Sequence, residues 1–346
     1  MAISIRPGVL DADRDAAIAL FRRYLNPAYD IPRFEWLYTG NPAGRGRLWI
    51  AMDDATGEIV GTAGAFPREI YLQGREALGW VLGDFCVAER YRALGPALML
   101  QRRCLDDLAA TGAALFHDFP HPRLMPIYAR LGIGPARLMR RLVRLLRVDD
   151  QVDRLVGSRV LARGLAAVAN AILSRRRRAP RPAGAVVTRR LEGRCGVEFS
   201  DLADKVGADY GIGLRRSAPY LDWRYLGNPI RRHDLVTVHM DGRLAGWAAV
   251  AEDGSSGTLV DVFGVPDPEI IESAVQAAVA ELARRGCATV SVSLLDSHPW
   301  VELFGRLGFS PRATSPVILH PLPASGLSAA ALAAAPVFLT QGDQDS

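Results

Sequence analysis

The feature that most restricts this chain is an internal echo. FEWLYTGNP begins at Phe34 and YLDWRYLGNP at Tyr220. Aligned on Trp36 and Trp223, they share the tryptophan, a tyrosine two residues on (Tyr38, Tyr225) and Gly-Asn-Pro, with Asn41 and Asn228 again 187 residues apart. Further matches follow in the same order. GEIVGTAGAF answers to GRLAGWAAV, with Gly61 facing Gly246, and YARLGI (128–133) answers to FGRLGF (304–309). A His-Pro pair precedes each of the last two, His121-Pro122 and His298-Pro299. Ordered matches of this kind imply a duplicated unit, and 346 residues are enough for two domains.

The pattern of elements gives the division. Residues 1–148 read as one unit: a short strand ISIRPG, a helix DADRDAAIALFRRYL capped by Asp11 or Asp13, and strands RLWIAMD and GEIVGTAGAFP joined by a turn at 53–57. REIYLQGREALGWVLGDFCVA then supplies two more strands around Gly74, followed by helix GPALMLQRRCLDDLAATG, strand ALFHDF and helix RLMPIYARLG. Residues 189–335 repeat the theme with strand TLVDVFGV, helix PEIIESAVQAAVAELARRG, strand ATVSVSLLD and helix PWVELFGRLG. Residues 149–188 form a linker with a helical stretch, four arginines (175–178) and a Pro-rich exit, and 336–346 form a tail. Strands alternating with helices predict an α/β class with a mixed sheet.

Composition excludes several alternatives. Hydrophobic residues are 49% and charged ones 23%, enough for a core without staples. The cysteines, Cys86, Cys104, Cys195 and Cys287, have no short-spaced pair, so neither a zinc site nor a disulfide framework is expected. The start has no apolar signal region and no run of 18 apolar residues occurs; the expectation is a cytoplasmic, soluble protein. The net charge of +5 invites a polyanionic partner. Yet Lys205 is the sole lysine, and an arginine skew reads more simply as coding bias than as a nucleic-acid surface. For the linker helix, packing on a domain competes with lying on a membrane surface.

Residues 81–103, VLGDFCVAERYRALGPALMLQRR, carry the most chemistry. They read as a strand, a basic glycine-containing turn, then a helix. Arg92-Ala93-Leu94-Gly95-Pro96-Ala97 fits R-x-x-G-x-A. A helix beginning there points unpaired amides and the positive end of its dipole into the turn, which suits a pyrophosphate. Gly95 lets backbone approach the ligand, and Pro96 is tolerated in a first helical turn.

This stretch resembles the coenzyme-binding motif of the GNAT (Gcn5-related N-acetyltransferase) acyltransferases, (R/Q)-x-x-G-x-(G/A) after a strand ending in valine. IYARLGI resembles the motif that closes the same fold. The Trp-x-Tyr…Asn-Pro segment and the tail FLTQGDQD are similar to those of bacterial chains with tandem GNAT halves. The resemblance covers most of residues 1–145 and, more weakly, 190–346. It implies that acetyl-CoA or another acyl-CoA is the co-substrate. The strand at Phe85, Cys86 and Val87 would take the pantetheine arm, and amides of Arg92, Ala93, Leu94, Gly95, Pro96 and Ala97 the pyrophosphate. Tyr128 falls where many members place a general acid for the departing thiolate. The acceptor would be an amine of a small molecule or amino sugar attacking the thioester directly, with no metal.

Direct attack also needs a proton acceptor. Asp84 is the best candidate, though a cap or salt-bridge role fits it too; His117, Asp118 and His121 follow the next strand and could face the acceptor or simply be satisfied in a loop. Tyr128 could equally pack its helix. Cys86 has no histidine at a known spacing to activate it as a nucleophile. Trp36, Tyr38, Trp223 and Tyr225 could line a cleft or fill the core.

The second half departs from the motif. Pro266-Asp267-Pro268-Glu269 replaces the glycine turn with two acidic residues, and Phe304 stands where Tyr128 does. A degenerate second GNAT-like half that binds no coenzyme follows. Two other activities compete: aminoacyl transfer from charged tRNA, as in Fem-type tandem proteins, and non-catalytic acyl-CoA binding. The intact loop disfavours the first and Tyr128 the second.

Overall fold

The computed structural model describes residues 2–92, 94–147 and 186–344. The predicted linker helix lies outside them. The chain folds around one mixed sheet with the spatial order β1-β2-β3-β4-β5-β13-β6-β12-β11-β10-β9-β7. The first half contributes β1 (Ile3–Pro7), β2 (Arg47–Asp53), β3 (Ile59–Leu72), β4 (Arg75–Val87), β5 (Leu115–Asp118) and β6 (Arg137–Leu145). The second contributes β7 (Val186–Arg190), β8 (Ile212–Leu214), β9 (Asp234–Met240), β10 (Arg243–Asp253), β11 (Ser256–Gly264), β12 (Thr289–Leu295), β13 (Ser310–Pro321) and β14 (Val337–Phe338). The ladder reads alike from either edge, β1 answering to β7 and β4 to β11.

At the centre the halves trade strands. β6 pairs antiparallel with β12 of the other half, and β13 with β5. β6 and β13 then pair with each other. The first half's last strand therefore completes the second half's sheet, and the reverse. Each half's ladder leans on a strand far away in sequence, Leu145 on Thr289 and Asp118 on Ile318, a non-local pairing that slows folding.

Helices cover both faces. In the first half α1 (Leu10–Tyr24) and α2 (Ile31–Tyr38) pack on one face, and α3 (Leu94–Ala109) and α4 (Met125–Arg130) on the other. In the second half come α5 (Val197–Val206), α6 (Pro268–Arg284), α7 (Val301–Arg306) and α8 (Ala329–Ala334). The cap of α1 lies two residues before Asp11 and four before Asp13, the caps predicted. Its cap residue is Val9, with no side-chain cap; Asp13 instead works from inside the helix, accepting from the Val9 amide at 2.7 Å and from two Arg6 nitrogens. The two strands predicted at GEIVGTAGAFP and REIYL are one strand, β3. Pro67 is tolerated there because β2 ends opposite Ala65, so its missing N–H faces no partner strand.

The repeated Trp segments meet on the local dyad. Trp36 Nε1 donates to the Trp223 carbonyl at 2.8 Å, Trp223 Nε1 to the Trp36 carbonyl at 2.9 Å, and the rings stack with centroids 4.9 Å apart. Both are buried. They are core packing between the halves, not the lining of a cleft. The shared Gly-Asn-Pro is a turn in each half: Asn41 Oδ1 accepts from Ala43 N and Asn228 Oδ1 from Ile230 N, the Asx geometry that favours asparagine.

Candidate functional site

The site begins where two strands part. β4 and β5 run parallel from Gly79↔Leu115 to Val81↔His117. β5 then ends at Asp118 while β4 continues to Val87, leaving one side of β4 without a strand partner. On its other side β4 bulges: Thr62 pairs with Cys86 but Gly64 with Gly83, so Asp84 and Phe85 stand against Ala63 alone. Asp84 takes φ +46°, a left-handed conformation in which a short polar side chain costs least. Next to Ala63, Gly64 leaves room for the packing around Asp84, because a Cβ there would lie 2.6 Å from the Tyr38 hydroxyl.

The Asp84 side chain turns to the α1–α2 face and is buried. Its Oδ2 accepts from the Tyr29 hydroxyl at 2.6 Å and the Tyr38 hydroxyl at 3.1 Å. Thr62 Oγ1 donates to the Asp84 carbonyl at 3.0 Å. Cys86 Sγ lies 3.2 Å from the same hydroxyl, and burial pushes its thiol up to about 12. It stays protonated near neutrality, which agrees with no nucleophilic role.

Beside the bulge lies a cavity of about 690 Å³. Phe85, Cys86 and Val87 form one wall, Arg92 and Ala97 the end toward α3, and Leu124, Pro126 and Ile127 the wall toward α4. The structure thus gathers five of the residues singled out from sequence. Arg92 Nε donates to the Val87 carbonyl at 3.2 Å, which shows that this carbonyl faces the cavity rather than β3. Gly95 and Pro96 open α3 beside Arg92, and Gly95 is exposed. A Cβ on Gly95 would meet nothing within 4 Å, so the fold itself has no need of glycine there. Ala93 and the Leu94 side chain lie outside what is described. Tyr24, Leu25 and Arg123 also line the cavity; no motif signalled them, because they come from the end of α1 and the β5–α4 loop.

The predicted catalytic residues sit behind these walls rather than on them. Tyr128 is 2% exposed and its hydroxyl donates to the Asp118 carboxylate, with Gln101 Nε2 at 3.5 Å. Burial and the Asp118 charge push the phenol well above its ordinary value. His117 Nε2 donates to the Asp343 carbonyl of the tail at 3.2 Å, and burial lowers the ring to about 4, so it is neutral. His121 lies on the cavity rim, but its Nδ1 accepts from Arg123 N at 3.2 Å. His298 Nδ1 accepts from Trp300 N in the same way, so the repeated His-Pro is a turn device in both halves.

The second half shows the same opening in a closed form. β11 and β12 part after Leu259↔Val292, as β4 and β5 do. Asp261 takes the place of Asp84, accepting from Tyr225 as Asp84 does from Tyr38. β10 and β11 bulge at the matching place, since Ala249 pairs with Asp261 but Val250 with Leu259; here, however, the tail enters the gap. Thr340 bridges Leu294 and its Oγ1 donates to Asp261. Arg216 joins Asp261 and Asp343 in a fully buried ion cluster. At the start of α6, Asp267 accepts from the Glu269 amide, filling that helix end with its own carboxylate. Phe304 is buried and packs on Phe309.

Among the described residues, no group of three His, Cys, Asp or Glu side chains is placed to hold a metal, and all four cysteines are unpaired. No helix among them is long and apolar enough to cross a membrane.

Comparison with known proteins adds a family match over part of the chain. Residues 10–136 match the model described as an acetyltransferase (GNAT) domain. No curated protein matches the chain closely enough to serve as a relative. Several solved structures share its fold. A probable N-acyltransferase from Enterococcus faecalis V583 aligns over 93% of this chain and 73% of its own, at 12% identity and a TM-score of 0.65. A GCN5-related N-acetyltransferase from Anabaena variabilis ATCC 29413 aligns over the same shares at 10% identity and 0.64. Saccharomyces cerevisiae N-myristoyltransferase, solved with bound myristoyl-CoA, covers 91% of this chain and 82% of its own at 12% identity and 0.55.

Proposed function

From the premise that residues 10–136 are a GNAT acyltransferase domain, we propose that the chain moves a short acyl group, acetyl first, from coenzyme A to an amine of a small molecule or amino sugar, and that the first half alone binds the coenzyme. The observation that carries this is the cavity in which the free side of β4 at Phe85–Val87 meets the glycine-containing start of α3. A pantetheine arm is an extended chain of amides and pairs with a strand edge as another strand would. The α3 amides and Arg92 then face the pyrophosphate.

The bulge sets the chemistry. It aims Asp84 across the opening from the cavity, with Thr62 fixing its carbonyl. Asp84 takes the amine proton, directly or through water. The thioester carbonyl is polarised by backbone amides beside the bulge. Tyr128 keeps its proton at neutral pH because its affinity is raised, and delivers it to the leaving thiolate once the hydroxyl turns from Asp118 toward sulfur. Gln101 steadies the phenolate that results.

The test is a melting series of the full chain with acyl-CoAs of increasing length, since a ligand that binds only the folded state raises the melting temperature by mass action. Acetyl-CoA should give the largest rise, and thiol release with a library of amines should identify the acceptor. The proposal fails if no acyl-CoA shifts the melt, and the tRNA reading takes its place if charged tRNA does.

A further inference from the structure

We propose that Tyr29 is a positioning residue that sets the proton affinity of Asp84; this rests on the reading of Asp84 as the base given above. The two halves isolate the effect. Both hold the bulge-side aspartate with the tyrosine that follows the repeated tryptophan, Tyr38 to Asp84 at 3.1 Å and Tyr225 to Asp261 at 2.9 Å. That bond is common property of the fold and ties the Trp segment to the sheet in each half. The remaining partners differ. Asp261 takes the Arg216 guanidinium at 2.9 Å and the Thr340 hydroxyl at 2.9 Å, which tie it into a fixed ion cluster. Asp84 takes a second phenol, Tyr29, at 2.6 Å.

A phenol stabilises the carboxylate by donating to it, yet unlike a guanidinium it brings no full charge to oppose reprotonation. Tyr29 thus favours the anionic form of Asp84 through a hydrogen bond that a single substitution removes. Tyr29 is itself prepared for this. The Arg33 guanidinium lies 4.5 Å from its ring centroid, and a cation over the ring makes the hydroxyl a stronger donor. Arg22 Nε fixes its backbone through the Tyr29 carbonyl at 2.6 Å, and Phe21 packs on the ring at 4.6 Å. The other titratable groups toward Asp84 are Tyr38 from α2 and Cys86 from β4. Arg68 on β3 and His117 on β5 share that face of the sheet, the latter neutral.

Removing a donor to the charged form raises a carboxyl's pKa. Full-length protein labelled with carbon-13 at aspartate carboxyls provides a readout that needs no acceptor substrate; the Asp84 signal is the one lost in Asp84→Asn. Tyr29→Phe should raise its titration midpoint by about one pH unit, and the acid limb of kcat/KM should move up with it. A midpoint unmoved in a folded Tyr29→Phe protein overturns the proposal. Should that variant not fold, Arg33→Gln must raise the midpoint in the same direction by a smaller step, and no shift there overturns it equally. Full turnover in Asp84→Asn would instead end the base reading and leave the Tyr29 shift standing.

Discussion

The two halves open the sheet at the same place and do opposite things with the opening. In the first, a bulge turns Asp84 and Phe85 out of register and leaves β4 with a free side beside an unfilled cavity. In the second, the strands bulge too, at Val260 beside Asp261, but the tail Leu339–Asp343 crosses the gap, and Asp267 occupies the helix start. The lesson is that the parting of strands belongs to the fold, whereas a binding site needs the parting to stay empty. What empties one copy and fills the other is a handful of residues: Gly95 against Asp267 and Glu269, Tyr29 against Arg216, and the tail that lies in one gap alone.

That contrast can be broken most severely at the plug. Arg216 bonds two buried carboxylates, Asp261 and Asp343, so Arg216→Met strands both charges. A loss of about 3–5 kcal/mol in urea unfolding is expected. Because β6 and β13 are exchanged, the loss should appear as one transition for both halves. A smaller effect, or a separate second-half transition, would show that the plug is ornamental to the fold.

The next effect is on binding. Gly95→Glu places an anion where the pyrophosphate is proposed to lie, and about a hundredfold loss of acetyl-CoA affinity is expected. Since a side chain there meets open space, the melting temperature without ligand should hardly move. Unchanged affinity by calorimetry would remove the coenzyme from this loop. The mirrored change Asp267→Gly should create no second site, because the tail still fills the gap.

A third effect sharpens the plug by pH. Two carboxylates share one guanidinium, and burial with the Asp261 charge lifts Asp343 to about 6. The folded state then binds a proton that the unfolded chain has already released between its ordinary value near 4 and about 6. The stabilisation is fully present below that window and is lost as pH rises through about 6. Asp343→Asn should flatten this part of the stability curve; a slope that persists assigns it to other groups.

Much of this was legible in the sequence, and the residues show why. The R-x-x-G-x-A turn, the strand before it and the α4 motif are local patterns, and each fell where spacing placed it. Asp84 was legible only as a carboxylate on the right strand; its tyrosine partners come from 46 and 55 residues away, and no local pattern carries that. The strand exchange was missed, and RLMRRLVRL in β6 shows why: its arginines at 137, 140, 141 and 144 fall at helical spacing and not at the two-residue period of a strand. Even a correct period identifies a strand but not its neighbour. The Trp pair was read both as cleft and as core because an amphipathic ring fits either, and only the dyad contact decides. The His-Pro repeat looked chemical and is a turn, a reminder that a repeated segment can be a folding device as readily as a functional one.

The smallest effect falls on the residue with the most divided reading. Tyr128 has a hydroxyl bonded to Asp118 and lies behind the cavity wall, while its counterpart Phe304 shows that the same helix packs well without one. Tyr128→Phe should therefore cost about 1–2 kcal/mol, the value of a buried bond to a charged group, and leave acetyl-CoA affinity intact. Its effect on turnover separates the roles. A fall in kcat at every pH, with KM unchanged, marks a proton delivered in the transition state alone. A stability loss with normal kcat makes Tyr128 a strut for Asp118, and the thiolate must then take its proton from water.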